Sequence, residues 1–202
     1  KAPDLGMRTY VNDRTGEVRT IPDGIDPGWE SNPGRLRQRN LGRHIAGKLD
    51  DAPAELREVA IKDVISSPTF RRIQAGEAKG VAPVAVLRGD VAKAWEASSR
   101  TVLFSDDTAQ KQRGQRTDDH PGSSSRGHPE LTASDYLIVQ TVLDHGSAVA
   151  GGRTGNQLIY THKVDGKAWK AVVKRTGDGR ELYLTSLHRI LPRQYEKIRK
   201  GN

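Results

Sequence analysis

The chain has 202 residues and a mass of 22.2 kDa, with 34% hydrophobic, 5% aromatic and 29% charged residues, no cysteine and a formal net charge of +8. The apolar share lies below the roughly 45–50% of an average globular protein, which argues against one compact core over the whole length and for arm-like parts. The missing cysteine excludes disulfides and thiol catalysis and leaves any metal site to His, Asp and Glu, and no apolar run approaches the roughly 20 residues of a membrane span.

No charged-then-apolar leader is visible, so no signal peptide is expected, and with Lys1 in place of an initiator Met the chain is expected to be a fragment or a processed C-terminal piece. Residues 1–34 read as an extended arm. Thr9–Val11 and Glu17–Ile21 are strand-like and predict a short hairpin about Asp13–Gly16. From Ile21 to Gly34 three prolines and three glycines forbid a long helix. That stretch orders only against another surface, with Ile25 and Trp29 as its anchors.

Residues 35–79 read as mostly helical. Leu36, Leu41, Ile45 and Leu49 form an apolar stripe among arginines. Pro53 suits a helix start ahead of Leu56, Val59, Ala60 and Val64, and Ser67-Pro68 caps a shorter helix through Phe70 and Ile73. The pattern changes near residues 78–82, which divides the chain into 1–80 and 81–202. Strands are expected at 84–87 and 101–104, with a helix between them capped by Asp90. Residues 105–127 carry almost nothing apolar and read as a mobile loop. Thr132–Asp135 resembles a capping box, opening a helix with Tyr136, Val139 and Leu143 on one face. A glycine-rich loop is expected at 146–155; it lacks the ending of a nucleotide-binding phosphate loop.

The clearest pattern lies at 157–188. Leu158–Val164, Lys167–Arg175 and Arg180–His188 are three strand-like runs joined by Asp165-Gly166 and Gly177-Asp178-Gly179, an antiparallel meander, followed by a basic helix from Pro192. The charge is concentrated here. Residues 153–202 hold 12 Lys/Arg against 4 Asp/Glu, whereas residues 1–152 hold 21 of each. Such a field favours a polyanion, of which nucleic acid is the usual one.

Strict alternation places Leu182, Leu184, Ser186 and His188 on one face of the last strand and Tyr183, Thr185 and Leu187 on the other. A twisted meander is expected to gather Lys170, Lys174, Ser186, His188 and His162. His128 stands ahead of the preceding helix. Metal-free RNA cleavage needs a base for the 2′-hydroxyl, an acid for the leaving 5′-oxygen and cations for the phosphorane. Histidine suits the proton transfers, because its pKa lies near neutrality. Lysine and arginine suit the third role. No HExxH spacing is present, and neither a metal nor a cofactor is expected.

Residues 21–34, IPDGIDPGWESNPG, resemble a segment near the C-terminal region of Mu-like phage minor head (head morphogenesis) proteins. PVAVLRGDVAKAWEASSRTVLFSDDTAQ (83–110) and the later HPELTASDY and AWKAVVKRTGDGRELYLTSLHRI resemble the domain often fused behind it, a phage branch of the barnase–EndoU–colicin–RelE-like nucleases. The resemblance implies an α+β fold: an N-terminal extended arm and helices, then a C-terminal helix and a curved antiparallel meander with the active site on its open face. It implies catalytic roles for His128, Lys174, Ser186 and His188. With it, Lys170, Arg175, Thr185 and Arg189 are expected to bind substrate. The expected activity is a metal-independent endoribonuclease. The expected partners are RNA, other phage head proteins and an acidic immunity protein, with the virion and then the host cytoplasm as location. The alternatives are a capsid- or portal-associated module that binds nucleic acid without cutting it, and a toxin held by an immunity protein.

Overall fold

The structure, a computed structural model, describes residues 6–11, 18–22, 44–114 and 127–200. The turn expected at Asp13–Gly16, the anchors Ile25 and Trp29, the stripe positions Leu36 and Leu41 and the polar stretch 115–126 lie outside the described residues.

The chain is α+β. Strands β1 (Met7–Val11) and β2 (Val18–Pro22) pair antiparallel, as their sequence leads one to expect. Helices α1 (44–50), α2 (Ala54–Ser66) and α3 (Pro68–Ala75) follow. Ser67 caps α3 by accepting from the Phe70 N–H at 3.1 Å, with Pro68 in the first turn, where its missing N–H costs nothing. Next come β3 (Lys79–Val86), α4 (Gly89–Ala94), β4 (Thr101–Ser105) and α5 (Asp106–Gln112). After the undescribed stretch lie a 3-10 turn (Ala133–Leu137), α6 (Ile138–His145), β5 (Ser147–Gly151), β6 (Gln157–Val164), β7 (Lys167–Arg175), β8 (Leu182–Arg189) and α7 (Pro192–Arg199).

The strands form one mixed sheet in the order β1-β2-β3-β4-β8-β7-β6-β5, parallel at β2–β3 and β4–β8 and antiparallel elsewhere. The β6–β7–β8 meander is as expected. Asp165 (φ 50°) and Gly166 (φ 74°) supply the two left-handed residues that a two-residue hairpin turn demands. Asp135 closes the expected cap of the 3-10 turn, its carboxylate accepting from the Thr132 N–H at 2.7 Å.

The core joins both halves of the chain. Ile45, Leu49, Ile61, Phe70 and Ile73 pack in one apolar cluster with Val84, Leu103, Val139, Tyr160, Val173 and Leu184. The change of pattern at residues 80–81 falls inside β3, and the helices before it share a core with the strands after it. Phe70, Phe104 and Tyr136 form its aromatic centre, with ring centroids 4.8–5.5 Å apart.

Two stretches expected as loops contain regular structure. Residues 147–151 form edge strand β5. Residues 106–112 form α5, which carries one apolar side chain, Ala109. Its polar side chains explain why it orders. β4 pairs with β8 only at Leu182 and Tyr183, and α5 covers β8 beyond that point. Thr108 Oγ1 donates to the Leu184 carbonyl at 3.1 Å, Lys111 Nζ to that of Thr185 at 3.3 Å and Gln112 Nε2 to that of Leu187 at 3.0 Å. A helix that fills the hydrogen bonds of a sheet edge has no need of an apolar stripe.

Candidate functional site

Residues facing each other across antiparallel strands share a face of the sheet. Three rows therefore cross β6, β7 and β8 on one side: Thr161–Lys170–His188, Ile159–Val172–Ser186 and Gln157–Lys174–Tyr183. The other side sends Tyr160, Trp169, Ala171, Val173, Leu184 and Leu187 into the core.

The last strand does not alternate strictly. Val172 pairs with Ser186 and Val173 with Leu184, so Thr185 has no partner and forms a bulge. The phase changes there. Leu182, Leu184 and Leu187 are all fully buried, and Ser186 and His188 turn to the lysine face. This corrects the expected grouping of Leu182 and Leu184 with Ser186 and His188. Burying Leu187 beside Leu184 requires the extra residue between them.

The His188 ring stacks on that of His128, with centroids 4.3 Å apart and planes 5° from parallel. Two groups hold His128 there. Its backbone N–H donates to the carbonyl of Gln112, and the Gln112 side chain donates to the carbonyl of Leu187, next to His188. Gln112 thus ties both histidine segments to the end of α5. Behind His128, Nδ1 lies 3.2 Å from Glu130 Oε1. A carboxylate only accepts, so a proton sits on Nδ1, and Nε2 is left to carry and give up a second one. Ser186 Oγ lies 3.1 Å from His188 Nδ1 and holds that ring in place.

The surroundings of His188 oppose its charged form. The His188 pKa is pushed down to about 4, first by burial and then by the nearby charge of His128 and Lys170. It is neutral at pH 7. Hydrogen bonding from its own backbone N–H and from His128 keeps the Glu130 carboxyl below its ordinary range, so the acceptor behind His128 is ionised. Lys111 is half-buried, and its ammonium is pushed down by burial and by Lys174 and Lys170. Among the described residues none of these three lysines forms an ion pair.

His128, His188, Ser186, Lys170 and Thr185 are thus brought together. Lys174 shares their face but stands four residues from Lys170, about 13 Å along the strand. Three expected members face the other way. His162 lies on the core side, its ring 5.9 Å from that of His145. Arg189 alternates away from His188 and sits 5.1 Å above the Trp169 ring. Arg175 alternates away from Lys174; its Nη1 donates to the Glu96 carbonyl at 3.1 Å and its guanidinium lies 5.8 Å from the Trp95 ring. Glu130, Lys111 and Gln112 are additions. The sequence signal for the last two was Ser105-Asp106-Asp107, an N-cap with acidic residues in the first helical turn.

Among the described residues no group of three or more His, Asp or Glu side chains is placed to hold a metal ion, and no helix is long and apolar enough to cross a membrane. Comparison with protein-family models, curated proteins and solved structures found no match to this chain.

Proposed function

We propose that the chain is a metal-independent endoribonuclease in which His188 is the general base and His128 the general acid. The observation that carries this reading is the stacked His128–His188 pair, with Ser186 on one ring, Glu130 on the other and Lys170 directly across from His188. An acid–base couple needs one ring kept neutral to accept a proton and a second ring beside it to give one. His188 is the neutral ring. His128, with an ionised carboxylate behind it, is the ring placed to donate.

The parallel stack suits in-line displacement. Metal pairs about 3.5–4 Å apart clamp the attacking and leaving oxygens of such a reaction. Two parallel imidazole rings with centroids 4.3 Å apart offer a base and an acid over a similar span. His188 Nε2 takes the proton of the 2′-hydroxyl, whose oxygen attacks phosphorus. The bond to the 5′-oxygen breaks, and that oxygen takes a proton from His128 Nε2. The products are a 2′,3′-cyclic phosphate and a 5′-hydroxyl. Lys170 offsets charge on the phosphorane, and Ser186, accepting from His188 Nδ1, donates its own hydrogen to a phosphate oxygen. A substrate that supplies its own nucleophile needs only this base and acid.

The nuclease-like resemblance accords with the α+β fold and with the histidines standing on the sheet face opposite the core. The same reading places the domain on a phage minor head protein, carried in the virion and released into the host cytoplasm, with head proteins and an acidic immunity protein as partners.

Incubation with total RNA in EDTA tests the chemistry. Cleavage leaving cyclic phosphate ends is expected, with His128→Ala and His188→Ala each losing about 10²–10⁴-fold. Absence of cleavage, or cleavage indifferent to both substitutions, defeats it. Salt-dependent binding of nucleic acid without cutting then leaves the non-catalytic capsid module as the better account.

A further inference from the structure

Lys170 and Lys174 leave the histidine-bearing face at backbone positions about 13 Å apart. Side chains bonded to a single phosphate stand within roughly 6–8 Å of each other, two hydrogen-bond lengths plus the ion. Lys170 faces His188 directly, whereas Lys174 is two rows further along and exposed, opposite Tyr183 and Gln157. Lys111 lies between them. It reaches over the bulge from α5, anchored through Nζ on the Thr185 carbonyl at 3.3 Å. The charges that act most on His188 include Lys170 and Lys111 but not Lys174, whereas Lys111 is acted on by both Lys174 and Lys170. The cations therefore run in sequence from the histidines outward: Lys170, Lys111, Lys174.

The two ends of this row differ. Beyond Lys170 the face is closed by α7: Lys163, which pairs with Ala168 on the same side as Lys170, has its Nζ 4.9 Å from the Tyr195 ring of that helix. Past Lys174 the strand ends at Arg175, and the turn that follows exposes Gly177 and Asp178. Like charges held together on a sheet, with no carboxylate bonded to any of them among the described residues, ask for an anion. A spacing wider than one phosphate asks for a polyanion.

We propose that Lys111 and Lys174 form a second phosphate subsite, which holds the backbone of a single-stranded nucleic acid leaving the histidine pair along β7. The assignment deepens the nuclease reading and rests on it for the position of the scissile bond. It makes the substrate a strand several nucleotides long rather than a dinucleotide. Lys111 is the fixed member of the subsite, since its stem is packed and its ammonium tethered. Lys174 is the adaptable one.

Fluorescence anisotropy with 2′-deoxy oligonucleotides, which lack the nucleophile, tests this apart from catalysis. The wild-type chain is expected to bind a pentanucleotide at least about tenfold more tightly than a dinucleotide. In Lys174→Met, a change at an exposed position, that advantage should vanish while dinucleotide binding stays within twofold. The slope of log K against log salt should fall by about 0.7, one single-strand phosphate contact. Lys111→Met should behave likewise, and Lys111→Arg should keep the advantage. Equal weakening of both probes in Lys174→Met would move Lys174 to the scissile phosphate, and unchanged binding of both would remove the subsite. A wild-type chain that does not prefer the longer probe also overturns the proposal. Failure to cut RNA with the length preference intact would refute the nuclease reading alone.

Discussion

Acid titration reports directly on His188. The ring titrates at about 4 in the folded protein against an ordinary 6.5, because burial, and then His128 and Lys170, oppose its charged form. Between those two values the unfolded chain binds a proton that the folded chain refuses. Stability must therefore fall as the pH drops from 6.5 to 4 and level off below. The full displacement corresponds to about 3 kcal/mol, and screening over the solvent-facing part of the ring reduces this to about 1–2 kcal/mol. Urea unfolding of the wild type and of His188→Gln across this window gives the measurement. The wild type should lose about 1–2 kcal/mol more than the variant, which has no imidazole to charge. The kinetic counterpart is the acid limb of kcat/KM, expected near 4 because the base must be neutral. Lys170→Met should raise that limb by removing a repelling charge. Parallel stability curves for wild type and His188→Gln would show that the ring is not held neutral by its surroundings, and the assignment of His188 as base would go with it.

Gln112→Leu removes the amide that satisfies the Leu187 carbonyl and should cost about 1–3 kcal/mol in denaturant unfolding. Its kcat should fall further than its stability explains, because the lost amide holds the Leu187 carbonyl, the neighbour of His188. Arg189→Ala should leave cleavage within about twofold, since the side chain lies over Trp169 on the far face, and should lose only about 0.5–1 kcal/mol of cation–π contact by thermal or chemical melting. Deleting Thr185 should unfold the chain or abolish activity, because it reverses the phase of Ser186, Leu187 and His188; Thr185→Ala should be nearly silent in both assays. Phe70→Ala, at the centre of the aromatic cluster, is expected to destabilise by about 3–5 kcal/mol in the same unfolding assay.

Much of the fold follows from local rules. The meander could be read because Asp-Gly turns and period-two alternation are short-range signals, and the caps at Ser67 and Asp135 are set within four residues. The helix α5 was missed because its reason for ordering lies in carbonyls of β8, more than 70 residues away in the chain. Its residues look like those of a solvated loop when nothing apolar is asked of them. The edge strand β5 was missed for a related cause: Gly and Ala carry little strand preference, and pairing with β6 decides the matter.

His128, Ser186, His188, Lys170 and Lys174 could be named from their chemical types and their concentration in one half of the chain, since an imidazole or an ammonium has the same competence wherever it stands. Which of them meet is another question. The Thr185 bulge decided it for the last strand, sending Ser186 and His188 to the lysine side and Arg189 to the other, while His162 and Arg175 turn away by the plain alternation of their own strands. A strand's faces exchange with a shift of one residue, so the composition of the site depended on where Leu187 had to be buried. The pairing of His128 with His188 across 60 positions of sequence, and the arrival of Lys111 beside them, are products of long-range packing that no local pattern encodes.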